Sequence, residues 1–199
     1  MKLICVTNRQ LCQEPFFTRL ERIASARPDC ILLREKDLPE TEYEYFAASC
    51  QEICARYNTP LTLHFHPQVA IALQASSLHL PLWKWQEQQN HLPSDISIGT
   101  SVHKAEEAVL AERMGASYLI AGHIFDTNCK QGLPGRGVAF LHDVCQSVAI
   151  PVYAIGGITE ERIPSVRQAG AAGICIMSEL MQCEQVEGKI KRIKQMLLE

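Results

Sequence analysis

The sequence lacks several features that would place it in a special class of protein. Its 199 residues carry 19 Lys and Arg against 22 Asp and Glu, so no basic excess predicts binding to nucleic acid. No apolar run approaches the ~20 residues that a membrane-spanning helix needs, and we expect no membrane partner. The first residues reach a polar turn at Thr7-Asn8 too soon for a signal peptide. We therefore expect a cytoplasmic protein.

Cysteine pairs at metal-binding or redox spacing are also missing. The chain has nine cysteines, but none forms a C-x-x-C pair, which disfavours a zinc ribbon and a thioredoxin-type site. Most of them, such as Cys5, Cys30 and Cys175, lie in apolar runs and are typical of small core residues. Cys129 lies in a polar stretch, and we interpret it as a bystander thiol because no partner base is evident. We predict no bound metal.

What the sequence does contain is a regular alternation of short apolar runs and helical patterns. Eight runs predict strands, at residues 2–7, 30–33, 60–65, 77–80, 96–101, 118–124, 151–155 and 172–176. Such alternation is typical of parallel strands joined by right-handed crossovers. Eight units predict a single (β/α)8 TIM barrel over residues 1–199. A doubly wound open sheet is the alternative, which the strand count and the missing G-x-G-x-x-G disfavour.

The segment from Pro81 to Pro93 is the hardest to interpret. Its two tryptophans, Trp83 and Trp85, could cover the barrel wall or close over a ligand, and we expect wall packing. At the next helix, we expect Thr159 to act as the N-cap.

Polar residues collect where the predicted strands end, which is the active end of a (β/α)8 barrel. Arg34 and Lys36 are two residues apart, so both would face the mouth and favour an anionic ligand. A pair of solvated charges is the alternative. Gly156-Gly157 and Met177-Ser178, after strands seven and eight, predict a phosphate site, because glycine lets backbone amides approach an anion.

Histidines form the second group of polar residues at these strand ends. His123 lies where an apolar run becomes a polar loop, and its imidazole could transfer protons near neutral pH or only hydrogen-bond the strand end. His64 and His66 would share a face and, with His103, could suggest a metal. No carboxylate lies close to His64 and His66 in sequence, so for all three histidines we favour a hydrogen-bonding or structural role.

Five segments together resemble the thiamine phosphate synthase superfamily. They are Leu33-Arg-Glu-Lys-Asp37, Gly99-Thr-Ser-Val-His103, Gly122-His-Ile-Phe-Asp-Thr-Asn-Cys-Lys130, Ala154-Ile-Gly-Gly-Ile158 and Gly173-Ile-Cys-Ile-Met-Ser178. They span nearly the whole chain in order. Gly122-His123 resembles the end of strand six in the TenI-type thiazole tautomerases, where synthases usually carry glycine-proline. Gly135-Arg-Gly137 also resembles the tautomerase pattern.

The resemblance implies an isomerase of thiamin biosynthesis, a thiazole tautomerase that aromatises a carboxythiazole phosphate by acid–base proton transfer. His123 would be the catalytic residue. The substrate, a small phosphorylated thiazole, would contact a set of polar side chains, which are Arg34, Lys36, Ser101, Thr127 and Lys130. Its phosphate would lie on Gly156, Gly157, Met177 and Ser178. No cofactor is implied, and a homodimer stays open as the assembly.

Other positions depart from the synthase pattern. The resemblance implies that synthases bind a pyrimidine diphosphate and Mg²⁺ through a Q-x-R-E-K motif, an Asn-Asp pair after strand three and an Asp after strand four. This chain has Leu32, His64-Phe65 and Leu80-Pro-Leu-Trp-Lys84 there, whereas Mg²⁺ prefers oxygen ligands. We therefore expect little synthase activity. A thiamine phosphate synthase and a non-catalytic regulatory homologue are the alternatives.

Overall fold

The computed structural model describes residues 1–88, 91–130 and 132–198. Eight parallel strands close into a barrel in chain order, which confirms the predicted (β/α)8 fold. The strands are β1 (Lys2–Val6), β2 (Cys30–Leu33), β3 (Leu61–His64), β4 (Ser77–Pro81), β5 (Ser97–Val102), β6 (Tyr118–Gly122), β7 (Val152–Ile155) and β8 (Gly173–Ile176). No helix among the described residues is both long and apolar enough to cross a membrane.

The helices lie outside the strands. They are α1 (Phe16–Ser25), α2 (Glu40–Arg56), α3 (Pro67–Ala72), α4 (Leu82–Gln88), α5 (Ala105–Arg113), α6 (Gly137–Ser147), α7 (Ile163–Gln168), α8 (Ser178–Gln182) and α9 (Val186–Leu198). Thr159 lies at the predicted N-cap position, but its side chain makes no capping hydrogen bond. The chain there forms a 3-10 turn, in which the Arg162 amide donates to the Thr159 carbonyl at 3.0 Å.

Two apolar layers follow from the period-two alternation of each strand. Leu78 and Leu80 of β4 belong to the large buried layer between strands and helices. A smaller cluster fills the barrel interior and includes Ile4, Leu32 and Ile120. The side chain between the two leucines, His79, therefore faces the interior.

The two tryptophans of α4 have different environments. Trp85 is buried at 4% exposure and packs on the barrel wall as expected, but Trp83 is 54% exposed. Residues two apart on a helix project about 200° apart, so both could not face the wall. The expectation of wall packing is therefore wrong for Trp83, whose ring centre lies 6.2 Å from that of Phe65 in an edge-to-face arrangement.

Candidate active site

A cavity of about 940 Å³ opens where the strands end. The geometry brings together every residue predicted for the site, although it does not test their roles. These residues are Arg34, Lys36, Ser101, His123, Thr127, Lys130, Gly156, Gly157, Met177 and Ser178. They come from the ends of β2, β5, β6, β7 and β8, so the closed barrel is what makes them neighbours.

Three cations form one side of the cavity. Burial lowers the pKa of Arg34, and it also lowers the pKa of Lys36, with further lowering by the charges of Arg34 and Lys130. Within the described part of the chain, none of the three forms a salt bridge. Converging cations without a salt-bridge partner favour an anionic ligand, because an anion would relieve their mutual repulsion.

Glu35, between the two cations of this segment, stabilises the strand ends below the cavity. Its buried carboxylate accepts a 2.6 Å hydrogen bond from the Thr7 hydroxyl and a 3.0 Å bond from the Arg9 amide. The Thr7 hydroxyl oxygen in turn accepts from the Arg34 amide at 3.0 Å. Because successive side chains alternate in direction, Arg34 and Lys36 face the mouth. The Glu35 carboxylate points the other way and links the segment after β2 to the segment after β1.

A second part of the cavity wall is formed by the loops after β7 and β8. Arg162 donates a 2.6 Å hydrogen bond to the Gly157 carbonyl, and its guanidinium lies 4.6 Å from the centre of the Phe125 ring. Ser178 begins α8, and its hydroxyl lies 3.2 Å from the Cys129 thiol. Arg162 also lines the cavity, which the sequence analysis did not predict. Its place five residues after Gly157 was the signal that could have indicated it.

The two glycines after β7 have a packing role that the sequence did not reveal. Gly156 and Gly157 have φ values of +100° and +64°. A Cβ at Gly156 would lie 2.3 Å from the His123 Cβ, and one at Gly157 would lie 2.6 Å from the Asp126 carbonyl oxygen. Both positions therefore require glycine so that the segment after β6 can approach β7.

That segment, residues 123–136, is the β6 loop. Its Ile124 amide donates to the Ile155 carbonyl at 2.8 Å, which prolongs the β6–β7 pairing. The His123 Nε2 lies 3.1 Å from the Leu133 carbonyl oxygen, so this nitrogen donates a hydrogen bond, and in the neutral imidazole Nδ1 is the unprotonated nitrogen. In His103 the donating nitrogen is instead Nδ1, which lies 2.7 Å from the Gly122 carbonyl oxygen.

Two buried histidines lie deeper in the cavity. Burial lowers the pKa of His79 to about 3, and it holds the pKa of His64 well below its usual range, so both imidazoles are neutral. Sequence reasoning missed His79, although its place between two leucines was a signal. His66 does not share this site with His64. Its Nδ1 lies within hydrogen-bond distance of the Glu40 carboxylate, at 3.2 Å, and its ring centre lies 4.7 Å from that of Tyr43.

The residues at the positions of the implied Mg²⁺ carboxylates do not fit that ion. Phe65 follows β3, and the Lys84 ammonium lies 3.8 Å from the centre of its ring. The Lys84 cation would repel a divalent metal, and the Phe65 ring cannot ligate one, because Mg²⁺ needs oxygen donors. Among residues 1–88, 91–130 and 132–198, no cluster of three His, Cys, Asp or Glu side chains is suited to a metal.

Curated relatives share most of the chain. Thiamine-phosphate synthase 2 of Streptococcus pneumoniae serotype 4 is 33% identical over 199 residues, covering 95% of this chain and 91% of its own. Thiamine-phosphate synthase of Clostridium acetobutylicum is 32% identical, covering 96% and 92%. The thiamine-phosphate synthase of Halalkalibacterium halodurans is 36% identical, covering 80% and 77%.

Solved structures share the fold. Thiamine phosphate pyrophosphorylase from Pyrococcus furiosus has a TM-score of 0.85 and 27% identity, covering 99% of this chain and 95% of its own. A 3-hexulose-6-phosphate synthase has a TM-score of 0.73 at 15% identity, covering 98% and 99%, and it shows the fold alone.

These relatives contradict the expected isomerase class, because their names are those of synthases, which are transferases. The motifs behind that expectation have a packing cause. A Cβ at Gly122 would lie 2.4 Å from the Ile155 Cγ2. One at Gly135 would lie 2.6 Å from the Ile124 carbonyl oxygen. These glycines therefore report the close packing of the β6 loop and do not identify a reaction.

The family model described as thiamine monophosphate synthase matches residues 3–180. This match spans all eight strands and both sides of the cavity, so the chain belongs to the thiamine monophosphate synthase family.

Proposed function

We propose that the protein is a thiamine-phosphate synthase, which joins a pyrimidine diphosphate to a thiazole phosphate and releases diphosphate. The observation that supports this most is that one cavity is lined by two groups of residues suited to anions. Arg34, Lys36 and Lys130 form the first side, and the loops after β7 and β8 form the second. The names of the full-length relatives support the same reaction.

In this reaction the bond between the pyrimidine-bearing carbon and a diphosphate oxygen breaks. The thiazole ring supplies the electron pair of the new bond, and the departing diphosphate takes the electrons of the old one. Negative charge therefore develops on the diphosphate in the transition state. Cations already held in place on the cavity wall stabilise such charge without reorganisation. We assign this role to Arg34, Lys36 and Lys130.

The thiazole phosphate would lie at the other side of the cavity. Backbone amides of Gly156, Gly157 and Ser178 can bind its phosphate, and the Arg162 guanidinium adds positive charge beside them. Thr127 would contact the same substrate. The catalytic role of His123 stays a proposal, with the unprotonated Nδ1 as an acceptor for a substrate group.

A second candidate function is a ligand-binding protein without turnover. The Phe65–Lys84 contact supports it, because the end of β3 has a ring where the resemblance implies a carboxylate. Such a protein would still bind the phosphate of its ligand but would not catalyse the release of diphosphate.

The decisive assay mixes the protein with both substrates, with Mg²⁺ in one series and a chelator in the other, and detects thiamin phosphate by mass spectrometry. The proposal expects product, and Arg34→Gln should lower its rate by about 10²–10³-fold, the loss typical of one electrostatic transition-state contact. Lys104→Gln, which removes an exposed cation away from the cavity, is the matched control. Binding of both substrates without product would favour the second candidate.

Two coarser predictions also stay proposals. The cytoplasm as the location is testable by cell fractionation. Homodimer formation is testable by sedimentation of the purified protein.

A further inference from the structure

One half of the barrel interior is polar, unlike the apolar half around Ile4 and Ile120. Its central member, His79, lies on β4 and is 2% exposed. His79 Nε2 lies 2.8 Å from the Ser101 hydroxyl, and its Nδ1 lies 3.1 Å from the Tyr118 hydroxyl. Ser101 lines the cavity, whereas Tyr118 lies deeper, beside a second small cavity at the other end of the barrel. The contacts form one hydrogen-bonded chain of side chains, Tyr118–His79–Ser101, across the strands β6, β4 and β5.

The register shows that the barrel is built around this chain. His79 pairs with Gly99 of β5, and Gly99 pairs with Tyr118 of β6. A Cβ at Gly99 would lie 1.9 Å from the Tyr118 Cζ, so the phenol ring occupies the space that a side chain would fill. Glycine at this position is therefore what lets the Tyr118 hydroxyl reach across β5 to His79.

The chain has only two consistent directions of hydrogen bonding, because a neutral imidazole has one N–H. In the first direction, Tyr118 donates to Nδ1, the Nε2–H donates to Ser101, and the Ser101 hydrogen is left for the cavity. In the second direction, every bond is reversed and Ser101 presents only its oxygen. Burial raises the pKa of Tyr118 well above its usual range, so the phenol keeps its proton.

The first direction is favoured because the buried Tyr118 hydrogen then has an acceptor. Among the described residues, His79 is the only partner of this hydroxyl with hydrogen-bond geometry. Thr62, which also acts on the pKa of Tyr118, has its hydroxyl 2.6 Å from that of Ser77. A buried donor left unpaired typically costs about 1–3 kcal/mol. The charges of Arg34 and Lys36 lower the pKa of His79, which places the chain on the cationic side of the cavity.

We infer that Tyr118 and His79 act as a positioning pair that holds the Ser101 hydroxyl as a hydrogen-bond donor toward an anionic ligand. The ligand-facing half of this inference rests on the proposed function, but the direction of the chain does not. Ser101 is the residue that touches the ligand, and the other two act through it.

The direction of the chain is tested by nitrogen-15 NMR of protein with labelled histidine, with the His79 signals assigned by their loss in His79→Gln. The expected result is a protonated Nε2 and an unprotonated Nδ1, unchanged across the range in which an ordinary histidine titrates. A protonated Nδ1 would overturn the inference, whatever the protein catalyses.

The effect on the ligand is tested by calorimetric titration with inorganic diphosphate. Ser101→Ala should weaken binding about tenfold or more, as expected for a hydrogen bond to a charged group, and Tyr118→Phe about two- to tenfold. Tyr118→Phe should have no further effect in the Ser101→Ala background. Tyr153→Phe is the matched control, because this buried tyrosine packs 5.6 Å from Tyr118 and has no side-chain hydrogen bond among the described residues.

Equal weakening by Tyr118→Phe in both backgrounds would show a merely structural effect and overturn the positioning role. Failure of the wild type to bind diphosphate would overturn the ligand contact of Ser101 together with the proposed function. Failure to form thiamin phosphate, with diphosphate bound and the two variants non-additive, would overturn the proposed function alone.

Discussion

Gly156→Ala should separate the packing role of the β7 glycines from simple backbone preference. Gly156 has a φ of +100°, and its Cβ would lie 2.3 Å from the Cβ and 2.8 Å from the Cα of His123. Gly115, just after α5, has a φ of +89° with nothing within 4 Å of its Cβ. Gly115→Ala is therefore a matched control, because it has the same unfavourable φ without the collision.

The expected cost follows from the difference between the two variants. Left-handed backbone costs an alanine roughly 1–2 kcal/mol in either case. The collision adds the cost of overpacking, about 1–3 kcal/mol, only at Gly156. For a chain of this size 1 kcal/mol shifts Tm by about 2–4 °C, so Gly156→Ala should melt roughly 2–12 °C below Gly115→Ala.

Thermal unfolding followed by circular dichroism measures this difference, and urea unfolding checks it at constant temperature. Because the nearest atoms belong to His123, the variant should also disturb the β6 loop and the cavity. Equal melting temperatures for the two alanine variants would refute the idea that the β6 loop packs against Gly156.

Four further substitutions have expected outcomes. Arg162→Leu should weaken binding of inorganic phosphate about tenfold in calorimetry, because it removes the cation beside Gly157; unchanged affinity would exclude it from the phosphate site. Folding lowers the pKa of Lys36, so the unfolded chain binds its proton more tightly and charged Lys36 destabilises the fold. Lys36→Met should therefore be more stable than wild type at neutral pH in urea unfolding. This advantage should fade as pH rises through the lowered pKa toward the ordinary value of 10.5, and a constant advantage would contradict that reasoning. Trp85→Ala should cost about 3–5 kcal/mol in the same assay and Trp83→Ala less than about 1, since only Trp85 is buried; similar costs would be inconsistent with the described packing.

The strands were predictable because each is a short apolar run between turn residues. The position of the site followed from the fold, since parallel strands in a barrel end on one side. Arg34 and Lys36 reach the cavity for the local reason that the sequence shows, a spacing of two residues.

The hydrogen-bonded chain of Tyr118, His79 and Ser101 was not predictable, because it depends on the register of the strands. Nothing in the sequence states that Gly99 lies between His79 and Tyr118, and a shift of one residue would send each side chain to the other face. The role of Gly156 is likewise set by a neighbour from another strand. The error over the isomerase class arose here, since motifs that pack the β6 loop were interpreted as marks of a reaction.

The two-sided cavity is tested most directly by calorimetric titration of thiazole phosphate into protein already saturated with inorganic diphosphate. If Arg34, Lys36 and Lys130 bind the diphosphate while the β7 and β8 loops bind the thiazole phosphate, the second ligand binds with a stoichiometry of about one and without displacing the first. Arg162→Leu should then weaken only the thiazole phosphate, and Arg34→Gln only the diphosphate. Competition between the two ligands for one place would contradict the two-sided cavity and the transfer reaction proposed for it.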